Sequence, residues 1–232
     1  MVPLANQRVV ITGAAQGLGA AIARVFAKAG ARLILMDRDS PKWGDLDTEW
    51  DFCKVNLSDA EATAAAIAQI DGPVDTLIHN AAILRPEPLE EVSLKTFQET
   101  MDVGIQAAFQ LSQAVWPAMK QNGGALIFVS SQSGIKGFVD ETAYCAAKHA
   151  LEGFSKCLAI EGEAHGIVSC TITPGKAMHT PMSEANYPPE LKAQWIEPDL
   201  LAPAFAHIAT SRDPALSGQR LNAWDLSQKH PL

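Results

Sequence analysis

Tyr144 and Lys148 stand four residues apart in Tyr144-Cys145-Ala146-Ala147-Lys148. On a helix that spacing puts both side chains on one face. A free phenol titrates at about 10, too high to ionise easily at neutral pH. A neighbouring ammonium favours the phenolate and brings it toward the working range. A tyrosine so placed takes a proton from an alcohol or gives one to a carbonyl oxygen. Ser131 lies thirteen positions before Tyr144, directly after an apolar run. Its hydroxyl can hydrogen-bond the same reacting oxygen. The chemistry these three residues suit is hydride transfer at a carbonyl or alcohol carbon.

Hydride transfer needs a carrier, and two features supply a seat for one. Thr12-Gly13-Ala14-Ala15-Gln16-Gly17-Leu18-Gly19 falls between a β-branched run and a helical pattern. Glycines there allow a tight turn and a close approach of main chain to a pyrophosphate, while the helix start offers free N–H groups to the anion. Asp37 follows the second apolar run. A carboxylate at that place accepts from both adenosine ribose hydroxyls and repels a 2′-phosphate, so it selects NAD.

Short apolar runs alternating with helical patterns must position these groups. Strands are expected at Arg8–Thr12, Arg32–Met36, Asp51–Val55, Val74–His79, Ala125–Val129, Ile167–Ile172 and Gln219–Asn222. Helices are expected at Gly17–Ala29, from a capping box at Ser58-Asp59-Ala60-Glu61 to about Ile70, at Ser93–Gln121, Thr142–Ala164 and Pro198–Thr210. The stretch from Met36 to Asp51, with Pro41 and Gly44, is too cramped for a full crossover helix and reads as a loop or a single turn. A Pro-rich loop runs from Lys176 to about Glu197. Strands that are apolar throughout and alternate with helices mean an α/β fold, a single-domain, doubly wound parallel sheet of Rossmann type with helices on both faces. Residues 1–232 read as one dinucleotide-binding and catalytic domain, with a substrate loop at about 176–197.

Composition excludes other classes. Hydrophobic residues make up 47% of the 232, which rules out a disordered chain. The formal charge of −8, without a basic cluster, argues against a nucleic-acid partner. No apolar run spans a bilayer, and no secretory signal is evident at Met1 to Arg8. Cys53, Cys145, Cys157 and Cys170 form no CxxC pair and read as reduced thiols packed in the core of a cytoplasmic protein. The six histidines lack metal-ligand spacing and read as surface or loop residues, so no metal is expected.

Taken together, TGAAQGLG, Asp37, His79-Asn80-Ala81-Ala82, Ser131, YCAAK and Pro174-Gly175 resemble the short-chain dehydrogenase/reductase family over nearly the whole chain. The resemblance implies that Gly13, Gln16, Gly17, Leu18 and Gly19 hold the pyrophosphate and that Asn56 and Leu57 lie by the adenine. It further implies that Asn80 and Ala81 pack against the cofactor and that Pro174, Gly175 and Thr180 flank the nicotinamide. In that pattern Tyr144 is the general acid/base, Ser131 polarises the substrate oxygen, and Lys148 binds the nicotinamide ribose and lowers the Tyr144 pKa. Three departures stand out. Asn56 replaces an Asp of the family, Thr180 sits one residue late, and Gly104 replaces an Asn whose carbonyl anchors a proton-relay water. Either the Gly104 carbonyl still serves that relay at a bend, or Gly104 merely permits close packing.

The cofactor expected is NAD, with a small alcohol or ketone as substrate. The substrate pocket draws on Ile83, Leu84, Gln132, Phe138 and the loop from Lys176 to Trp195, with Lys136, Lys176 and His179 at its rim. The second long helix carries small and apolar residues on more than one face, Ala146, Ala147, Ala150, Gly153, Phe154 and Cys157, and so needs a second surface to cover it. A homotetramer or homodimer follows, and the family resemblance implies the same. Two other readings use the same residues. One is a non-catalytic dinucleotide-binding sensor or scaffold, and the other is an epimerase or dehydratase on the same scaffold. The intact Ser131, Tyr144 and Lys148 set argues against the first, and the short chain argues against the second.

Overall fold

The Val-, Ile- and Leu-rich runs become seven parallel strands in the order β3-β2-β1-β4-β5-β6-β7. These are β1 (Arg8–Thr12), β2 (Arg32–Asp37), β3 (Trp50–Lys54), β4 (Thr76–His79), β5 (Gly124–Val129), β6 (Ile167–Thr173) and β7 (Arg220–Asn222). This computed structural model describes residues 4–231 apart from Lys42, Asp45 and Asp47. Parallel pairing runs throughout; Ile11 lies in register with Leu35 on one side and Ile78 on the other. The strand order reverses between β1 and β4, and a ligand crevice opens beyond the carboxyl ends of strands at such a switch.

β4, β5 and β6 are buried at every position because both faces are covered. Val9 and Ile11 join a core with Leu18, Ile22 and Phe26 of α1 (Gly17–Lys28) and Phe205 and Ile208 of α7 (Ala202–Ser211). Val10, between them, points the other way into a core with Leu111 and Val115 of α4 (Ala107–Asn122) and Leu151 of α5 (Thr142–Gly162). Burial on each face therefore alternates along the strand as its side chains do.

Several local expectations are corrected. The capping residue of α2 (Ala60–Ile67) is Asp59, whose carboxylate accepts from the Ala62 N–H at 2.9 Å. Ser58 is instead held by Asn56, whose Oδ1 accepts from its N–H and hydroxyl. The helix ends at Ile67, short of Ile70. The stretch from Ser93 is α3 (Leu94–Met101), a π-turn over Asp102–Gln106, and then α4. The substrate loop holds α6 (Pro181–Asn186) and a 3₁₀ turn at Pro189–Gln194. An unforeseen final helix, α8 (Ala223–Lys229), follows β7. As expected, the described residues between β2 and β3 form no helix.

The substrate loop closes on itself. Met178 and Ile196 form an isolated parallel bridge, with Ile196 N–H donating to Ala177 and His179 N–H donating to Ile196 at 3.0 and 2.9 Å. Two expectations about single residues also fail. Cys170 is buried but Cys157 is exposed. His79 is fully buried in β4, between the Thr12 hydroxyl at 3.1 Å and the Val103 carbonyl at 3.0 Å. Burial, with the Lys148 charge, lowers its pKa to about 3, so it is a neutral strut.

Candidate active site

At the end of β1 the main chain turns through Gly13 and Gly17, at φ +65° and +58°. A Cβ on Gly13 would lie 2.8 Å from Asn80 Nδ2 and 2.9 Å from Ala81 Cα, and one on Gly19 would collide with the Gly13 carbonyl oxygen. Asn80 Nδ2 donates to the Thr12 and Gly13 carbonyls at 3.1 and 3.0 Å, while Thr12 Oγ1 accepts from the Asn80 and Ala81 N–H groups. The turn is thus braced from β4. Gln16, at the start of α1, makes no side-chain cap, so the first N–H groups of the helix stay free for an anion.

Asp37 stands half-buried at the end of β2. Its Oδ2 accepts from Ala15 N–H at 2.9 Å and its Oδ1 from Asp39 N–H at 3.0 Å. A carboxylate has about four acceptor sites, so capacity for two ribose hydroxyls remains. Arg38 points to Asp39 at 3.3 Å. Asn56 Oδ1 is already engaged twice by Ser58.

Ser131 begins a 3₁₀ turn after β5 and caps it, accepting from Ser133 N–H at 3.2 Å. Tyr144 and Lys148 come from the first two turns of α5. The Ser131 hydroxyl lies beside the Tyr144 phenol and acts to lower its pKa, and Lys148 Nζ sits 5.5 Å from the Tyr144 ring centre. Burial pushes the phenol above its ordinary value; Ser131 opposes this, and Tyr187 and Glu141 add to the rise. The expectation that Lys148 lowers this pKa is not what the geometry gives. Lys148 Nζ donates to the Val129 carbonyl at 2.6 Å rather than to the phenol. Lys148 is itself buried, and burial lowers it to about 8 against the opposing charge of Glu152.

Glu152, one turn further along α5, was not singled out from the sequence. It accepts from the Ser130 and Thr171 hydroxyls and from Arg220 Nε at 3.1 Å. Arg220 also donates to the Ser131 carbonyl at 3.0 Å, tying β7 to the Ser131 turn. Gly104 lies in the π-turn, where a Cβ would come within 2.7 Å of Ala147 Cβ, next to Lys148. The geometry therefore favours close packing, and the π-turn supplies a bend without any side chain at 104.

Gly13, Gly17, Asp37, Ser131, Tyr144 and Lys148 face one cleft of about 730 Å³, a ligand-sized volume. Of the residues expected at the site, Gln16, Leu18, Asn56, Leu57, Ala81, Pro174, Gly175 and Thr180 line it with Gly13, Gly17, Asp37, Asn80, Ser131, Tyr144 and Lys148. Gly19 instead packs beneath the turn. Thr180 caps α6, and a Cβ on Gly17 would lie 3.4 Å from its side chain, so it joins the substrate loop to the glycine turn. Ile83, Leu84, Gln132, Phe138, Lys176 and Trp195 line the cleft as expected; Lys136 and His179 do not. His179 turns away to Glu184 and Glu197. Ser133 and Glu141 line it unexpectedly. Among the described residues no group of His, Cys, Asp or Glu could hold a metal ion.

A family model described as short chain dehydrogenase matches residues 7–190. The chain belongs to the short chain dehydrogenase family. L-xylulose reductase of Bos taurus is 32% identical over 221 residues, spanning 92% of this chain and 88% of its own. D-threitol dehydrogenase of Mycolicibacterium smegmatis is 31% identical over 231 residues, spanning 91% and 89%. A candidate NAD(P) dependent gluconate 5-dehydrogenase of Beutenbergia cavernae, solved with NADP at low occupancy, superposes with a TM-score of 0.86 at 28% identity, covering 96% of this chain and 98% of its own. This short chain dehydrogenase is an oxidoreductase that interconverts an alcohol and a ketone with a nicotinamide dinucleotide. No feature of it favours the non-catalytic reading. None of its described helices is long and apolar enough to cross a membrane.

Proposed function

We propose that the protein is an NAD(H)-dependent dehydrogenase/reductase of a small neutral polyol and its ketone. The observation that carries this is the convergence of Ser131, Tyr144 and Lys148 on one cleft with Asp37. The braced glycine turn and uncapped α1 fit a dinucleotide pyrophosphate, and the spare acceptor capacity of Asp37 fits an unphosphorylated ribose. NAD(H), when bound, supplies or accepts the hydride. Tyr144 moves the proton at the substrate oxygen, and its raised pKa keeps the phenol protonated, ready to donate to a ketone. Ser131 holds the same oxygen, and Lys148 binds the nicotinamide ribose. Pro174, Gly175 and Thr180 border the nicotinamide, with Leu57 and Asn56 at the adenine.

The polyol class is supported by relatives named for xylulose and threitol and by a cleft that mixes Ile83, Leu84 and Phe138 with Gln132, Asn186 and Tyr187. The test is turnover of threitol and xylulose with NAD(H) and NADP(H), followed by cofactor absorbance. Higher kcat/KM with NADPH than with NADH would overturn the Asp37 reading; no turnover of any polyol or ketose would overturn the substrate class.

Residues 1–232 act as one domain in a cytoplasmic enzyme, assembled as a homotetramer or homodimer through α4 and α5. Phe109 of α4 and Ile160 of α5 are 48% and 76% exposed, an apolar surface suited to a second copy. Light scattering at micromolar concentration would report a monomer if this assembly is wrong.

A further inference from the structure

Glu141, the residue preceding α5, is a buried acid of the cleft that the catalytic scheme leaves unused. It is only 8% exposed, yet it lines the cleft. Buried acids need compensation, and this one has a single partner. The Ser133 hydroxyl donates to its Oε2 at 2.8 Å. Ser133 in turn lies 3.3 Å from the Ser131 hydroxyl, so a short chain of hydroxyls leads from the reacting oxygen to the acid. Among the described residues no hydrogen bond uses Oε1, and Glu141 itself lines the cleft.

The cleft's cations have other partners. Lys148 Nζ is turned to the Val129 carbonyl, Arg85 is paired with Glu99 at 2.9 Å and Arg38 with Asp39 at 3.3 Å, and Lys176 Nζ lies 5.7 Å from the centre of the Trp224 ring. The charge of Glu141 reaches the reacting position, since it helps to push up both Tyr144 and Tyr187.

We propose that Glu141 is the residue that sets substrate charge. It accepts a hydrogen bond from a hydroxyl next to the substrate carbonyl, and it turns away carbonyl compounds that carry a carboxylate or phosphate there. The proposal rests on the polyol reading and deepens it by assigning the contact to the hydroxyl beside the substrate carbonyl. A carboxylate placed against a second carboxylate in a partly dry site is disfavoured at close range, and rejection of this kind gives specificity where attraction alone does not.

Two four-carbon probes of matched shape test it, 1-hydroxybutan-2-one and 2-oxobutanoate. Their dissociation constants for the enzyme–NAD⁺ complex, in which neither is reduced, are read by calorimetry. The kcat/KM values are read separately with NADH. The hydroxy ketone is expected to bind at least about tenfold more tightly than the keto acid in the native enzyme. Glu141→Gln, which keeps the shape and an acceptor for Ser133, should narrow that gap by about tenfold, while Glu141→Asp should keep it. A purely structural role would weaken both probes alike and leave their ratio unchanged. Equal binding of the two probes to the native enzyme overturns the proposal with no variant needed, as does an unchanged ratio in a folded Glu141→Gln protein. If neither probe binds or turns over although NAD does bind, the polyol reading falls as well.

Discussion

At the β1–α1 turn the cleft wall is main chain. Glycines sit where a Cβ would strike Asn80, Ala81 or the Gly13 carbonyl, and the groups offered to a ligand are N–H donors. At the β5–α5 end the wall is side chain. Ser131, Ser133, Glu141, Tyr144 and Lys148 reach the cleft from a 3₁₀ turn and the start of a helix, linked by hydroxyl and carboxylate contacts. Steric exclusion fixes the first end, so it tolerates no added atoms. Hydrogen bonding and burial fix the second, so it tolerates shape changes but not changes of proton or charge.

Tyr144→Phe tests that contrast most strongly. The ring still fills its space while the proton is gone, so turnover should fall about 10²- to 10⁴-fold with NAD binding nearly intact. Stopped or steady-state kinetics beside NAD titration separate the two, and near-native activity would sink the acid/base role. Gly19→Ala is the reciprocal change. One methyl group meets the Gly13 carbonyl, so NAD binding should be lost and thermal stability should drop by about 1–3 kcal/mol. A variant that binds NAD normally would show that this turn is looser than its contacts imply.

Lys148 links charge to stability at the side-chain end. Its folded pKa of about 8 lies below the unfolded value of 10.5, so its charged form is disfavoured on folding. The cost is full below pH 8 and disappears as pH rises toward 10.5. Lys148→Met should therefore raise stability at pH 7 by about 2 kcal/mol, allowing for the lost Val129 bond, and the gain should fade at high pH. Denaturant melts across pH check the sign; a variant less stable than the native protein at pH 7 would contradict it. The smallest effect is expected at Asp37→Ala, where NADP should gain on NAD by about tenfold in kcat/KM without loss of folding. If the ratio stays put, the choice of cofactor lies elsewhere.

The glycine end was largely legible in the chain, because Gly13, Gly17 and Gly19 fall between a strand and a helix and only their spacing is needed to read them. Alternation of apolar runs likewise carried the sheet, and Pro41 and Gly44 carried the lack of a helix among the described residues between β2 and β3. The side-chain end was legible in Ser131, Tyr144 and Lys148 but not in what surrounds them. Glu141 and Glu152 look like ordinary helix acids until Ser133, Thr171 and Arg220, distant along the chain or in other elements, arrive beside them. Burial sets the direction of the Tyr144 shift, and a four-residue spacing shows neither that burial nor the strand carbonyl that captures Lys148 Nζ. The α2 cap moved from Ser58 to Asp59 because Asn56 had already claimed the serine, a competition between neighbours that the capping pattern omits. The π-turn at Asp102–Gln106 leaves no mark in an apolar periodicity that helical residues on either side continue.

The bridge between Met178 and Ile196 gives the segment it encloses a measure of independence. Its ends are pinned to each other, so its span from the scaffold is set at the neck and not by the residues within. Insertions, deletions or wholesale replacement between those anchors leave the sheet edges and the glycine turn untouched, apart from the Thr180 contact. Such a segment can be grafted as a cassette, and its exchange replaces one wall of the cleft while leaving Gln132, Phe138 and Glu141 in place.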